Sequence, residues 1–334
     1  MKILIATGIY PPDIGGPAQY AKNLRDEFSR QGNAVRILTY KSEKKLPLGI
    51  RHCLYFFRVL FSFFKTDFAI ALDTFSAGFP SVVAAKIFCK KIILRVGGDF
   101  LWESYVEKTG NLVTLKDFYA KILSLPLKQR LIYFLQKFTL KNCTALVFST
   151  SWQKEIFEKN YNLNPKKSFI IENFYGEKID SFEPKEKNFI FAGRPLKLKN
   201  INLLKEIFQE LEKERPDIKL EIMAGSFYEE LMEKIRNCYA VILLSLSDIS
   251  PNFILDAIRC NKPFILTRET GFYEKLNNTG LFINPMDKEN IKKKILFLAN
   301  EKNYNDYKGR VENFNFKHSW REIADEFLKI YKNL

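Results

Sequence analysis

Short apolar runs alternate with longer amphipathic stretches along the whole chain. KILIATG, AVRILTY, FAIALD, KIILRVGG, ALVFSTS and SFIIENF lie in the first half, and NFIFAG, KLEIMAG, AVILLSLS, PFILTR and GLFINP in the second. Each has the length of a strand, and most are apolar with little interruption, as strands covered on both faces require. Between the first two, Pro17 opens a stretch that Gly32 closes, with Tyr20, Leu24 and Phe28 four apart. That is the pattern of a capped amphipathic helix. Such alternation predicts an α/β fold of parallel sheets flanked by helices. The polar, aperiodic stretch NFYGEKIDSFEPKEK (173–187) predicts a boundary between two domains, 1–175 and 176–334. A chain of 334 residues with 46 % hydrophobic content can fill two cores.

Candidate chemistry concentrates in the second half. In AVILLSLSDISPNFILDAIRCNKPFILTRETG (240–271), a buried strand (Val241 to Leu244) leads to a turn, a helix and another strand. Ser250-Pro251 reads as a polar cap followed by proline at the first helical position, with Asn261 and Pro263 ending the helix. Asp248 then lies just before the helix and Asp256 about two turns inside it. The main-chain N–H groups between them, around Ser250, Asn252 and Phe253, favour an anion. Phosphates at the helix end and sugar hydroxyls donating to the two acids would suit a nucleotide-sugar. Two acids eight positions apart also occur in ordinary strand-helix-strand units. A second element adds weight. NFIFAGRPLKLKNINLL (188–204) runs from a strand through Gly193-Arg194 into a helix starting near Asn200, with Lys199 in the same loop. A planar fork and a point charge beside a helix start can neutralise a diphosphate.

Taken together, Gly193-Arg194, Lys199, the later acid-x7-acid and the Lys-Pro strand resemble the family-4 retaining glycosyltransferases. KILIATGIYPPDIGGPAQYAKNL, FSTSWQKE (148–155), IIENF (170–174) and HSW…EIADEFLKIY are similar to that family in the same order. The resemblance spans almost the whole chain. It implies the GT-B architecture: two Rossmann-like domains with a cleft between them, and residues 315–334 returning as a helix to the N-terminal domain. It further implies that the C-terminal domain binds the nucleotide-sugar and the N-terminal domain the acceptor. By position, Arg194 and Lys199 would hold the donor diphosphate, Asp248 the transferred sugar and Asp256 the ribose. Gly16 would let the N-terminal backbone approach the phosphates.

The chain also departs from the family pattern. Both acidic positions carry aspartate where the family usually has glutamate, and Ile249-Ser250-Pro251 replaces a Gly-Phe-Gly. LRVGGDFLWE (94–103) stands where many members carry a histidine. Asp99 or Glu103 could serve the acceptor side there, or be a helix cap or buried acid. His52 and His318 read as structural or surface residues. MAGSFYEELMEKIRNCYAVILL is shorter than the family's span, which implies one strand-helix unit fewer and leaves the nucleotide base open.

Charge is uneven. Residues 1–175 hold 26 Lys and Arg against 13 Asp and Glu, and the remainder 27 against 25. The segments 51–65 and 121–141 interleave bases with Leu, Ile, Phe and Tyr, and the second has no acid. Basic amphipathic helices of this kind fit an anionic membrane surface. They fit equally as helices covering a sheet with solvated bases. Their apolar runs are too short to span a bilayer, which needs roughly 20 residues. The N-terminus has no secretory signal pattern, and five widely spaced cysteines suit reduced thiols. The expectation is a cytoplasmic enzyme, peripheral at the inner membrane face. No metal-ligand spacing and no Asp-x-Asp occurs, so metal-independent transfer with no cofactor is expected. A catalytically degenerate binder of nucleotide-sugar or glycan is the first rival. A nucleic-acid-binding role lacks any motif beyond charge, and no G-x-G-x-x-G follows the first strand to support a dinucleotide enzyme.

Overall fold

The computed structural model describes residues 1–13, 15–40, 42–120, 125–223 and 227–334. Residues 121–124 of the basic segment and 224–226 of MAGSFYEE therefore lie outside the described residues. The chain divides into two compact units. The first comprises Met1–Ser104, Lys121–Phe174 and His318–Leu334, and the second Tyr105–Ala120 and Tyr175–Lys317.

The first unit is built on a six-stranded sheet of β1 (Lys2–Ala6), β2 (Ala34–Leu38), β3 (Phe68–Ala71), β4 (Lys91–Val96), β5 (Ala145–Phe148) and β6 (Ser168–Ile170). The strand order is β2-β1-β3-β4-β5-β6, and every neighbouring pair is parallel. β3 and β5 are buried at every residue, which explains their unbroken apolar sequences. The helix Gly16–Arg30 buries Tyr20, Leu24 and Phe28, the stripe visible in the sequence, and carries proline in its first turn. The last helix, Trp320–Asn333, packs on this unit. Ser319 and Glu322 form a capping box at its start. Its Ile323, Ala324, Phe327 and Ile330 join Ile3, Ile5, Phe28 and Phe68 in one core. Tyr331 stacks on Phe68, and Trp320 on Phe174. His318 Nδ1 lies 3.2 Å from the Asn173 carbonyl, and His52 Nδ1 lies 2.7 Å from the Tyr40 hydroxyl. Both histidines sit among structural contacts.

The second unit holds β7 (Lys187–Ala192), β8 (Ile218–Met223), β9 (Ala240–Leu243), β10 (Phe264–Thr267) and β11 (Leu281–Ile283). They form a parallel sheet in the order β11-β10-β9-β7-β8. The helices Ile201–Glu214, Asn252–Arg259 and Lys288–Leu298 bury Leu204, Ile207, Ile254, Ile258, Ile291 and Ile295 in its core. Gly280 has a physical reason to be glycine: a Cβ there would come within 2.0 Å of the Phe264 ring. Residues 105–120 fall in the first half by sequence position, but their contacts place them in this second unit.

In both sheets the chain reverses its direction of travel, between β1 and β3 in the first and between β7 and β9 in the second. Ligands of open α/β sheets bind at the carboxyl ends of strands beside such a reversal. In the first unit the loop after β1 leads to Gly16. In the second, the loops after β7 and β9 carry Arg194, Lys199 and Asp248.

Phe327 is fully buried. Phe327→Ala is expected to destabilise the first unit by about 3–5 kcal/mol, seen as a lower unfolding temperature in calorimetry. An unchanged thermogram would contradict the packing role of the last helix.

Candidate active site

The loop after β7 forms a single helical turn at Lys197–Lys199 before the helix Ile201–Glu214. Asn200 joins the two in the left-handed conformation (φ 55°), which asparagine tolerates better than most residues. Its side chain is fixed by a 2.7 Å hydrogen bond to the Pro285 carbonyl. Lys199 emerges from this turn. Its Nζ donates to Asp248 Oδ2 at 2.9 Å and to Ser245 Oγ at 3.2 Å. The lysine and aspartate side chains are only 21 % and 12 % exposed, so each depends on the other for charge compensation.

Asp248 is held by its main chain as well. Its N–H donates to the Glu269 carbonyl at 2.8 Å and its carbonyl accepts from Gly271 N–H at 3.3 Å. Leu246 N–H donates to the Leu198 carbonyl at 2.9 Å, stitching the β7 and β9 loops together. The structure thus brings together Lys199 and Asp248, which lie 49 positions apart. Gly193 follows β7 directly, its N–H bonded to the Met223 carbonyl. Arg194 is exposed, and its guanidinium has no ion-pair partner among the described residues.

The helix start after Asp248 differs from the expected form. The helix spans Asn252–Arg259, and Pro251 occupies the position before it, with φ −79° and ψ 78° and no side-chain cap. The physical reason is that this ψ lies outside the helical range, so proline ends the turn and its carbonyl accepts the first helical bonds. Ile254 and Leu255 N–H groups both bond that carbonyl, and Asn252 N–H bonds the Ser250 carbonyl. Among the first three helical amides, only that of Phe253 has no backbone partner among the described residues. The expected run of free amides is therefore thinned. The Phe253 side chain is half-buried against the core.

Asp256 lies farther along this helix, in a small polar cluster. Its Oδ1 accepts from the Tyr228 hydroxyl at 2.9 Å and lies 3.3 Å from Arg259 Nη1, which also donates to the Tyr228 oxygen at 3.1 Å. Burial pushes the Asp256 carboxyl up to about 6, against the lowering effects of Tyr228 and Arg259. The carboxylate is therefore ionised at neutral pH but close to its titration.

In the first unit, Gly16 is the first residue of its helix. The preceding Gly15 has φ 147°, which a side chain would strain, and its carbonyl accepts from Ala18 and Gln19. Asp99 is fully buried, and its Oδ1 accepts from Leu101 and Trp102 N–H at 3.0 and 3.2 Å. It caps the helix Phe100–Thr109, the structural alternative for this residue. Glu103 is half-buried on that helix, its Oε1 close over Gly98.

Ser245, Tyr228 and Arg259 were not anticipated. A signal existed for Ser245: Ser245-Leu246-Ser247-Asp248 alternates polar and apolar residues at the end of an otherwise unbroken apolar strand. The Asp256 and Arg259 spacing was visible as an i, i+3 pair. Tyr228 had no local signal. Among the described residues, no group of three His, Cys, Asp or Glu is arranged to hold a metal ion.

Two parallel α/β units, each with a strand reversal beside a helix start, define a Rossmann-like chain of the GT-B class. No protein-family model matches it. An uncharacterized glycosyltransferase of Methanocaldococcus jannaschii is 23 % identical over 372 residues, spanning 100 % of this chain and 99 % of that protein. Sucrose-phosphate synthase from Thermosynechococcus elongatus superposes with a TM-score of 0.72 at 12 % identity, over 99 % of this chain and 98 % of that one. Anabaena HepE, solved with UDP and glucose, gives 0.66 at 12 % identity over 100 % and 99 % of the two chains. The chain therefore has the fold of the GT-B glycosyltransferases along its full length.

Asp256 is expected to titrate with a midpoint near 6 in a carboxyl NMR titration. Tyr228→Phe removes a hydrogen bond to the charged form and should move that midpoint upward. A midpoint at the ordinary aspartate value would contradict the burial of this carboxyl.

Proposed function

We propose that the protein is a retaining glycosyltransferase of the hexosyl type. It moves a sugar from a nucleotide-sugar onto a glycan, lipid-linked or membrane-proximal acceptor. The observation that carries this reading is the Lys199–Asp248 pair at the strand reversal of the second unit. In this pair each charge holds the other in place. When a donor enters, Lys199 turns to the diphosphate together with Arg194, and Asp248 is released to accept from sugar hydroxyls. Asp256 accepts from the ribose, and the Phe253 amide, with Ser250 and Asn252, lies at the phosphate end. Gly193 keeps the turn before Arg194 slim.

In the transfer step the bond from the anomeric carbon to the diphosphate oxygen breaks, and the acceptor oxygen bonds to that carbon on the same face. The acceptor's proton passes to the leaving phosphate oxygen. Two cations placed where negative charge develops provide the main stabilisation, so no protein-held metal is required. A relative of matching length named as a glycosyltransferase and a neighbour solved with UDP and glucose support this choice of substrate. Fold alone would not decide it. Glu103 is the remaining acceptor-side candidate in its stretch, since Asp99 is committed to a helix cap.

The acceptor is met at an anionic membrane, on the cytoplasmic face. Two helices of the first unit support this reading. On Leu48–Phe63, exposed Ile50, Leu54, Phe57 and Phe61 form one stripe, continued by Phe64. On Leu127–Asn142, exposed Leu127, Leu131, Phe134 and Phe138 form another. Phe61 is 68 % and Leu127 84 % exposed, too much for helices that merely cover a sheet. Both helices pack against the helix Gly78–Ile87, and Lys65, Lys86, Lys128, Arg130 and Lys141 are exposed around the stripes. Apolar stripes flanked by bases match the interfacial helix pattern. No helix among the described residues is long and apolar enough to cross a membrane.

Purified protein is expected to hydrolyse or transfer from at least one UDP-, GDP- or ADP-sugar, undiminished by a chelator. Lys199→Ala and Arg194→Ala should each lower kcat/KM by on the order of a hundredfold. Donor binding without turnover would mark a binding protein instead. Vesicles containing anionic lipid should sediment the protein. Phe61→Glu with Phe134→Glu should weaken this by more than about tenfold, and added salt should weaken it further. Equal binding by wild type and double variant would rule out this surface.

A further inference from the structure

Residues 105–120 belong to the second unit despite their place in the chain, and they touch both loops of the candidate site. Glu107 Oε1 accepts the Leu198 N–H at 3.2 Å. Leu115 N–H donates to Ser247 Oγ at 2.9 Å. Leu198 directly precedes Lys199, and Ser247 directly precedes Asp248. The segment therefore grips the chain neighbour of each member of the ion pair.

The grip on Leu198 is double. Its N–H is held by Glu107, while its carbonyl accepts from Leu246 N–H in the other loop. The two amides that follow are closed locally, Lys199 N–H onto the Leu196 carbonyl and Asn200 N–H onto the Lys197 carbonyl, both at 3.0 Å. The Leu198 amide, unlike these two, is satisfied from outside its own loop. Leu198, Leu115 and Ser247 are all buried, so water cannot readily replace a lost partner there. A carboxylate accepting from a main-chain N–H makes a charge-assisted bond, stronger than an amide pair.

We propose that the segment 105–120 is a strap that positions the nucleotide-sugar site, with Glu107 as its positioning residue. Glu107 fixes the 197–199 turn so that Lys199 faces Asp248, and nucleoside-diphosphate affinity depends on that placement. This inference rests on the donor-site reading above.

The test is isothermal titration of UDP, GDP and ADP into the full chain, with melting temperatures measured in parallel. Wild type should bind at least one of the three. Glu107→Ala should weaken that binding about tenfold while still unfolding cooperatively within a few degrees of wild type. Glu107→Gln keeps a carbonyl acceptor without the charge and should restore affinity to within about threefold. Ser247→Ala, which loosens the second attachment, should weaken binding in the same direction. Unchanged affinity in Glu107→Ala, or failure of Glu107→Gln to restore it, overturns the strap and leaves the donor site standing. Loss of affinity that merely tracks a collapsed melting temperature in both Glu107 variants also overturns it. Absence of binding in wild type overturns both.

Discussion

The parallel pairing of β7 with β9 is the constraint on which the second unit's chemistry depends. β8 lies on the far side of β7, so the chain must cross back over β7 to form β9. The loops that leave the carboxyl ends of these two neighbours are thereby forced to start side by side. Once they do, Lys199 and Asp248 meet, although nothing local in the sequence links them. The pair is then secured from several directions: Ser245 at the carboxylate, the Leu246–Leu198 bond between loops, and the 269–271 main chain behind Asp248. Side chains this poorly exposed forfeit hydration on both sides, and the compensation holds only while the geometry does. Backbone bonds that restrict the loops are therefore as much part of the site as the charges.

A site assembled on strand ends also separates its two tasks. The sheet and its helices carry the stability, with β9 and β10 buried at every residue. Meanwhile the loops can hold charges and partly unsatisfied amides that a core could not tolerate. The first unit shows the same division in another form. Its sheet is closed by the returning helix Trp320–Asn333, while the helices Leu48–Phe63 and Leu127–Asn142 keep apolar side chains outward. Phe57, Phe61 and Phe134 are thereby left outside any core of this unit.

Most of the fold was legible in the sequence because a parallel sheet buried on both faces writes itself as uninterrupted apolar runs. All eleven runs named from the sequence are strands in the structure, and the Tyr20, Leu24, Phe28 stripe is a buried helix face. Lys199 and Asp248 were legible as residue types beside helix starts, and their contact followed from topology. What stayed hidden has a common cause. Glu107 and Leu198 are 91 positions apart, Leu115 and Ser247 132, and Tyr228 and Asp256 28. Contacts across such distances leave no periodicity, and a single glutamate on an amphipathic helix looks like any solvated acid. Pro251 was misplaced by one position because proline satisfies both the last turn residue and the first helical one, and only ψ decides.

The two aspartates sit in different surroundings. An aspartate reaches one methylene less far than a glutamate, so it stays nearer its own backbone and is more readily buried. At Asp248 the carboxylate is met by Lys199. At Asp256 burial raises the carboxyl to about 6, and Tyr228 and Arg259 restrain a larger rise. Both neighbours converge on Oδ1, an arrangement that orients the carboxylate as well as stabilising it. Any further hydroxyl donating to this carboxylate would act in the same sense as Tyr228, favouring the ionised form. Tyr228 itself is 49 % exposed, with its ring available beside the group it anchors. The tyrosine at the start of the helix Tyr228–Asn237 and the acid two elements later are thus physically coupled.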